Sequence, residues 1–115
     1  MVVDQLTEKA TDSLFRALSD ATRRDIMRRS AQGGSSVTAL AEAYPMSFAA
    51  VQKHVAVLER AGLVIKERRG REQIVRAELE AIQAAQRSLD GLEAIWRDRI
   101  ERMSGVLSDD NSSDN

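Results

Sequence analysis

The sequence is poor in several residue types that many functions require. Its 115 residues include no cysteine, one histidine, one proline and four aromatic residues. The lack of cysteine excludes disulfides, iron–sulfur clusters, thiolate zinc sites and cysteine nucleophiles. A lone histidine also excludes a histidine-rich metal site within one chain. No apolar run approaches about 18 residues, so we expect no transmembrane helix and no membrane partner.

The length suits a single domain that buries a core without disulfide or metal staples. The N-terminal segment MVVDQLTEKATD lacks the basic and then apolar layout of a secretion signal, so we expect a cytoplasmic protein. With so few prolines and aromatic residues, the composition favours long helices over an all-β fold.

Charge is distributed unevenly along the chain, although the net charge is only −1. Residues 1–20 carry a net charge of −2, residues 21–77 carry +6 and residues 78–115 carry −5. A basic middle between acidic ends predicts that only the middle faces a polyanion. Fourteen of the seventeen basic residues are arginine, which suits bidentate contacts with phosphate. The codon usage of a GC-rich genome explains the arginine bias equally well.

Apolar residues at helical spacing predict two helices in the first third of the chain. The first helix includes Leu14 and is expected to end near Ser19. Asp20 is suited to cap the second helix, because its carboxylate can accept hydrogen bonds from free backbone N–H groups. The pair Gly33-Gly34 is expected to end that helix.

Two further helices are predicted on either side of the only proline. Thr38 is the expected N-cap of a short helix, Ala39 to Ala43, which Pro45 ends. Ser47 is the expected N-cap of a fourth helix that ends at Gly62. The apolar residues of this fourth helix follow the i, i+4, i+7 spacing of a buried stripe: Val51, Val55 and Leu58.

The segment 63–77 predicts a β-hairpin, and a long helix follows from Glu78 to Leu107. The hairpin has a turn at Arg69-Gly70 and a basic tip. The long helix has apolar residues at steps of three and four over more length than one small domain can cover, which predicts an interface between two copies. That stripe includes Leu89, Leu92, Trp96, Ile100 and Met103. We expect residues 1–107 to form the domain and residues 108–115 to form a disordered acidic tail.

A tight turn, a capped helix and a basic hairpin in this order are typical of a winged helix-turn-helix, whose second helix enters the DNA major groove. The outward residues near the start of that helix are Phe48, Ala49, Gln52 and Lys53. Gln52 can pair with adenine, and Lys53 can reach guanine or phosphate. The tip residues Arg68, Arg69 and Arg71 suit phosphates or an adjacent minor groove. Taken singly, such a helix face is usually only solvated, and a basic tip usually prevents aggregation.

The segments LFRALSDATRRDIM and VTALAEAYPMSFAAVQKHVAVLERAGLVIKERRGRE resemble the ArsR/SmtB family of bacterial winged-helix regulators. The resemblance covers roughly residues 12–104. It implies a mainly α fold with a small β-hairpin, in α-α-α-α-β-β-α order. It also implies a homodimer built by the first and last helices, with Leu14 on the first, and binding to a palindromic operator, usually as a repressor.

Carried over by motif, Ser47 would cap the recognition helix near a phosphate. Gln52, Lys53 and His54 would fall on the recognition-helix signature, and Arg69 and Arg71 on the wing. His54 is equally well explained as a satisfied histidine between the core and the DNA face. Gln52 and Val55 stand where the family more often has Ser and Leu, so the resemblance does not fix the operator sequence.

The sequence departs from the family's metal sensors, since its third helix has no Cys and its last helix has no His. Glu93, Asp98 and Glu101 alone would make a poor site for a soft or borderline metal, and a solvated helix face explains them better. We therefore expect no metal and no cofactor. Arg23 and Arg24 are expected to contact either phosphate or nearby carboxylates.

Three functions compete at this point. The first is a regulator that binds double-stranded DNA as a homodimer, and the second is a winged-helix protein–protein interaction module without DNA binding. The charge of the middle segment favours the first. The third, an enzyme, lacks a nucleophile–base pair or a phosphate loop. The sequence does not indicate an effector.

Overall fold

The computed structural model describes the backbone of residues 2–113 and the side chains of residues 8–106. The elements follow one another in the predicted order, apart from one short additional strand. They are α1 (Val2–Leu18), α2 (Ala21–Ser30), β1 (Ser35–Ser36), α3 (Val37–Glu42), α4 (Phe48–Arg60), β2 (Val64–Arg69), β3 (Glu72–Ala77) and α5 (Leu79–Ser113).

The chain divides into two compact units, residues 1–85 and residues 86–115. In the first unit, α1 to α4 and the sheet enclose one apolar core, as predicted for a mainly helical winged domain. The predicted stripe of α4 lies at the centre of this core, with Val51, Val55 and Leu58 at most 1% exposed. The second unit consists of the remainder of α5.

Serine and aspartate caps fix where three of the helices begin. Asp20 accepts a hydrogen bond from the Arg23 amide at 3.0 Å, and Ser47 accepts one from the Ala50 amide at 3.1 Å, as predicted. The prediction that Thr38 caps α3 is wrong. Ser36 is the cap and accepts from the Ala39 amide at 3.0 Å, because α3 begins two residues early and buries Val37 in the core.

Helix α2 ends at Ser30, three residues before the predicted glycine pair. The chain leaves the helix there because Ser35 and Ser36 form β1, which pairs with Val75 and Ile74 of β3. The connection uses two positive backbone angles, φ 82° at Gly33 and φ 91° at Gly34.

The predicted hairpin is confirmed as an antiparallel pair in which Arg69 lies opposite Glu72. Gly70 has φ 62°, and no non-glycine residue in the described chain has positive φ. Glycine with positive φ at the first of two loop positions is typical of a type II′ turn. The strand order in the sheet is β1-β3-β2. The sequence did not predict β1, because a strand of two residues shows no periodic pattern.

Helix α5 extends to Ser113, past the predicted helix end at Leu107 and past the start of the predicted tail. The boundary between domain and tail stays a prediction, and the last two residues of the tail lie outside the described residues. No helix in the described part of the chain has both the length and the apolar character needed to cross a bilayer.

Candidate nucleic-acid interface

Helix α4 has one face in the core and one face open to solvent. The predicted reading residues Phe48, Ala49, Gln52 and Lys53 are all exposed, as is the cap Ser47. The side chains of Gln52 and Lys53 form no hydrogen bond or ion pair with any other described residue. Their polar groups are therefore available to a partner outside the protomer.

His54 is half-buried on α4, and a partner that the sequence did not predict orients its ring. The Arg23 guanidinium lies 3.2 Å from His54 Nδ1. A guanidinium only donates hydrogen bonds, so Nδ1 accepts and the ring proton lies on Nε2. His54 is thus part of the contact between α2 and α4, and Nε2 is left to donate elsewhere.

Arg23 and Arg24 form no ion pair with a carboxylate side chain among the described residues, and contact with phosphate stays a prediction. Arg23 donates from Nε to the Ala17 carbonyl at 2.7 Å and from Nη2 to the Arg16 carbonyl at 2.9 Å. Arg24 donates to the Leu18 carbonyl at 2.7 Å. Both guanidinium groups therefore cap the C-terminus of α1, where unpaired carbonyls and the helix dipole favour cations.

The backbone amide of Arg23 also holds the carboxylate of Asp20. This hydrogen bond is the main reason why the pKa of Asp20 lies below its usual value, and the positive charge of Arg23 acts in the same direction. The α1–α2 corner is thus a fixed polar junction beneath the recognition helix.

The wing arginines differ in how strongly the protein itself engages them. Arg68 donates to the Gly70 carbonyl at a long 3.4 Å, and Arg69 lies 3.6 Å from Glu67. Arg71 forms no hydrogen bond or ion pair with another residue in the described chain. Glu67 is held more closely by Arg76 at 2.9 Å. All three tip arginines are exposed, and Arg71 is the least constrained.

The hairpin is joined to the recognition helix by a surface ion pair. Lys66 of β2 lies 3.4 Å from Glu59 near the end of α4. Because both side chains are partly exposed, this pair adds little stability.

A second polar junction, which the sequence did not reveal, joins α2 to the turn after α3. The Tyr44 hydroxyl donates to Asp25 Oδ2 at 2.6 Å, and Arg29 Nε donates to the same oxygen at 2.8 Å. The Arg29 guanidinium also lies 5.5 Å from the centre of the Tyr44 ring. The hydrogen bond from Tyr44 and then that from Arg29 lower the pKa of Asp25, while burial and Asp25 raise the pKa of Tyr44 to about 12.

The apolar stripe of α5 is exposed along residues 86–106. Trp96 is 62% exposed, and all the other predicted interface residues of this helix are exposed as well: Leu89, Leu92, Ile100 and Met103. Ile95 and Val106 extend the same surface. Leu14 differs, because it is only 7% exposed and packs in the core of the protomer, and its place at an interface stays a prediction.

The donor groups among the described side chains do not fit a metal ion. No group of three His, Cys, Asp or Glu side chains with a suitable arrangement occurs among residues 8–106. The chain has no cysteine, and Nδ1 of its one histidine accepts from Arg23. Asp98 is hydrogen-bonded to Arg102 at 2.6 Å, as expected for a solvated helix face.

A capped recognition helix with an open polar face, followed by a hairpin with an arginine tip, defines a winged helix-turn-helix DNA-binding domain. The HTH-type transcriptional regulator Rv2034 of Mycobacterium tuberculosis is 34% identical to the chain over 84 residues, which cover 73% of this chain and 78% of that protein. No family model matches the chain.

Solved structures show the same relationship. The ArsR-like transcriptional regulator from Rhodococcus sp. RHA1 is 32% identical, with a TM-score of 0.77 over 87% of this chain and 94% of its own. The homodimeric winged helix-turn-helix DNA-binding domain Mb0332 of Mycobacterium bovis, a possible ArsR-family regulator, is 25% identical, with a TM-score of 0.61 over 75% of this chain and 79% of its own. The chain belongs to the ArsR family of winged helix-turn-helix transcriptional regulators.

Proposed function

We propose that this regulator is a homodimeric repressor that binds a palindromic operator and does not respond to metal ions. The observation that carries the proposal is the outward face of α4. There Gln52 and Lys53 are exposed and unpaired while Val51 and Val55 anchor the same helix in the core. A recognition helix must be rigid on one side and open on the other.

Different residues perform positioning and reading in this proposal. Ser47 caps α4, whose positive N-terminal end lies near a DNA phosphate. The exposed Arg68, Arg69 and Arg71 bind neighbouring phosphates of the DNA backbone. Gln52 and Lys53 contact base edges with Phe48 and Ala49 beside them, and His54 contributes through Nε2. Phosphate contacts supply affinity, whereas base contacts supply sequence preference.

The exposed stripe of α5 supports the homodimer. Seven large apolar side chains between Leu89 and Val106 have no cover within the described residues of their own helix unit. Patches of this kind usually mark an interface. In a dimer with a twofold axis, both copies of each side chain would be buried. The two recognition helices would then lie at a fixed spacing and be related by the same twofold symmetry as a palindromic operator.

Metal independence rests on the donor set described above, and the absence of enzymatic activity rests on the lack of a nucleophile–base pair. The site of action would be the compartment that holds the DNA, which is the cytoplasm in bacteria. We propose no effector.

In vitro selection from random duplex DNA tests the proposal. We expect an enriched sequence with twofold symmetry, bound by a dimer, and repression of transcription from a promoter that contains it. Zinc, nickel, cadmium or arsenite should leave the affinity unchanged. A failure to enrich any sequence would favour the alternative, a protein–protein interaction module.

A further inference from the structure

Phe48 is an exposed aromatic residue that the fold of the protomer does not explain. It is the first residue of α4 and is 48% exposed. It does not belong to the apolar core or to the partly buried residues packed against that core. Among the described side chains of residues 8–85, it is the only aromatic one that is exposed.

The position of Phe48 places it on the reading face of the recognition helix. Phe48 and Gln52 are four residues apart, so they are neighbours on one helix face. Four residues span about 6 Å along a helix, which is close to two base-pair steps of about 3.4 Å. The first turn of a recognition helix is the part that usually contacts base edges.

The chemistry around Phe48 suits an apolar partner. Its neighbours Ala49 and Ala50 carry no polar side chain, and no charged side chain occurs between the cap Ser47 and Lys53. A phenyl ring forms no conventional hydrogen bond to a base edge. The one apolar group in the major groove is the C5-methyl of thymine, which phenylalanine is able to contact.

We infer that Phe48 specifies a thymine in each half-site of the operator by packing against its C5-methyl group. The thymine lies within two base pairs of the pair that Gln52 contacts. This inference rests on the proposed function, because it requires α4 to enter the major groove. Insertion between base pairs is the alternative use of an exposed apolar side chain, but such wedges generally act from the minor groove.

Replacement of thymine by uracil removes only this methyl group and therefore gives a direct test. The operator enriched from random DNA is resynthesised with deoxyuridine at one symmetric pair of thymine positions at a time. For the wild-type protein, we expect one pair at which affinity falls about fourfold per half-site, the equivalent of one buried methyl group. For Phe48→Ala, the same replacement should have no measurable effect.

Two further variants control for indirect effects. Phe48→Leu keeps an apolar side chain and should retain part of the sensitivity to uracil. Ile65→Ala removes apolar surface that is similarly exposed, at 39%, from β2, and its pattern should match that of the wild type. Circular dichroism and sedimentation on the same samples report whether each variant is folded and dimeric.

The outcomes separate this inference from the proposed function. Failure to enrich any sequence would overturn both. An enriched operator without a methyl-sensitive thymine would overturn the assignment of Phe48 and leave the DNA-binding function intact. Equal sensitivity of the wild type and Phe48→Ala to the uracil replacement would also overturn the assignment of Phe48. A Phe48→Ala protein that loses affinity equally for operator and random DNA would overturn it as well. A Phe48→Ala protein that is no longer dimeric would assign the side chain to a protein interface instead.

Discussion

Position 34 leaves room for hydrogen but not for a methyl group. Gly34 has φ 91°, and a Cβ atom there would lie 2.6 Å from Ile74 Cγ2, 2.9 Å from Arg76 Cγ and 3.1 Å from the Val75 carbonyl oxygen. Its neighbour Gly33 has φ 82° but no atom within 4 Å of the corresponding position. The pair therefore separates backbone strain from steric crowding.

We predict that Gly34→Ala destabilises the protein more than Gly33→Ala. A left-handed backbone costs a non-glycine residue about 1–2 kcal/mol, which both variants share. Crowding against β3 should cost Gly34→Ala about 1–3 kcal/mol more. Urea denaturation measures the free energy of unfolding for both. Equal losses would show that β3 moves aside at little cost.

Tyr44 gives a second test at the residue scale, because it is the only tyrosine and its ionisation can be followed by absorbance. Burial and the neighbouring Asp25 raise its pKa from 10.0 to about 12. Between these values the unfolded chain loses the proton first, so the free energy of unfolding falls as pH rises.

We predict that Asp25→Asn lowers the pKa of Tyr44, since it removes the carboxylate that disfavours the phenolate. Absorbance titration of the folded variant and wild type, with circular dichroism on the same samples, measures the shift. Superimposable titration curves would contradict the role given to Asp25.

The sequence allowed prediction of local polar contacts but not of these distant ones. The caps Asp20 and Ser47 act on amides three residues away, so spacing alone revealed them. The Tyr44–Asp25 contact spans 19 residues and the Arg23–His54 contact spans 31. Only packing brings such pairs together, and no residue pattern marks them in advance.

At the scale of the element, Arg23 joins three helices through one guanidinium. It bonds two terminal carbonyls of α1 and the His54 ring of α4 while lying on α2. Lysine cannot replace this geometry, because its ammonium lacks the planar fork of donors. The orientation of the recognition helix thus depends on a residue that lies outside it.

We predict that Arg23→Lys lowers the free energy of unfolding by about 1–3 kcal/mol, since partly buried acceptors lose their donor. Arg24→Ala removes a single exposed hydrogen bond and should cost clearly less. Chemical denaturation compares the two. If Arg23→Lys instead left stability unchanged and weakened binding to all DNA sequences, Arg23 would be a phosphate ligand.

The wing is a second element in which unpaired arginines can be distinguished from arginines that are paired within the protein. Arg71 at the tip is unpaired among the described residues, whereas Arg76 on β3 is paired with Glu67 at 2.9 Å. We predict that Arg71→Ala lowers the slope of log affinity against log salt by about one unit for each phosphate that the variant no longer neutralises. Arg76→Ala, the matched control, should leave the slope nearly unchanged. Fluorescence anisotropy titrations at several salt concentrations measure it, and equal slopes for both variants would remove Arg71 from the interface.

The elements themselves were predicted with uneven success, for physical reasons. The hairpin and α4 follow from apolar runs long enough to show a period. Strand β1 has only two residues and exists because β3 offers it an edge, so no local signal indicates it. The cap of α3 was misplaced by two residues because both Ser36 and Thr38 have a suitable hydroxyl, and burial of Val37 decides between them.

At the scale of the whole molecule, the basic charge and the exposed apolar stripe belong to different segments of the chain. The segment with net charge +6, residues 21–77, contains α2 to β3, and the acidic segment from residue 78 contains α5. An acidic helix would be repelled by DNA but can still associate with a second copy through its apolar stripe. The sequence predicted this stripe from periodicity alone, whereas the burial of Leu14 required the folded core.

Trp96 tests the dimer because it is the only tryptophan and is 62% exposed in the protomer. We predict that its fluorescence is blue-shifted at micromolar concentration and shifts to the red on dilution, as the interface opens. Trp96→Asp should give a folded monomer, because each dimer would have to desolvate two unpaired carboxylates. Ala94→Asp adds the same charge on nearly the opposite face of α5 and should remain dimeric.

Loss of the dimer should also abolish tight operator binding, since a monomer presents one recognition helix and half of the phosphate contacts. It also loses the spacing of about 34 Å that places two helices in successive major grooves. Sedimentation and an operator titration on the same samples decide the matter. A Trp96→Asp protein that stays dimeric would refute this interface, and a monomer with wild-type affinity would refute the claim that the dimer reads the DNA.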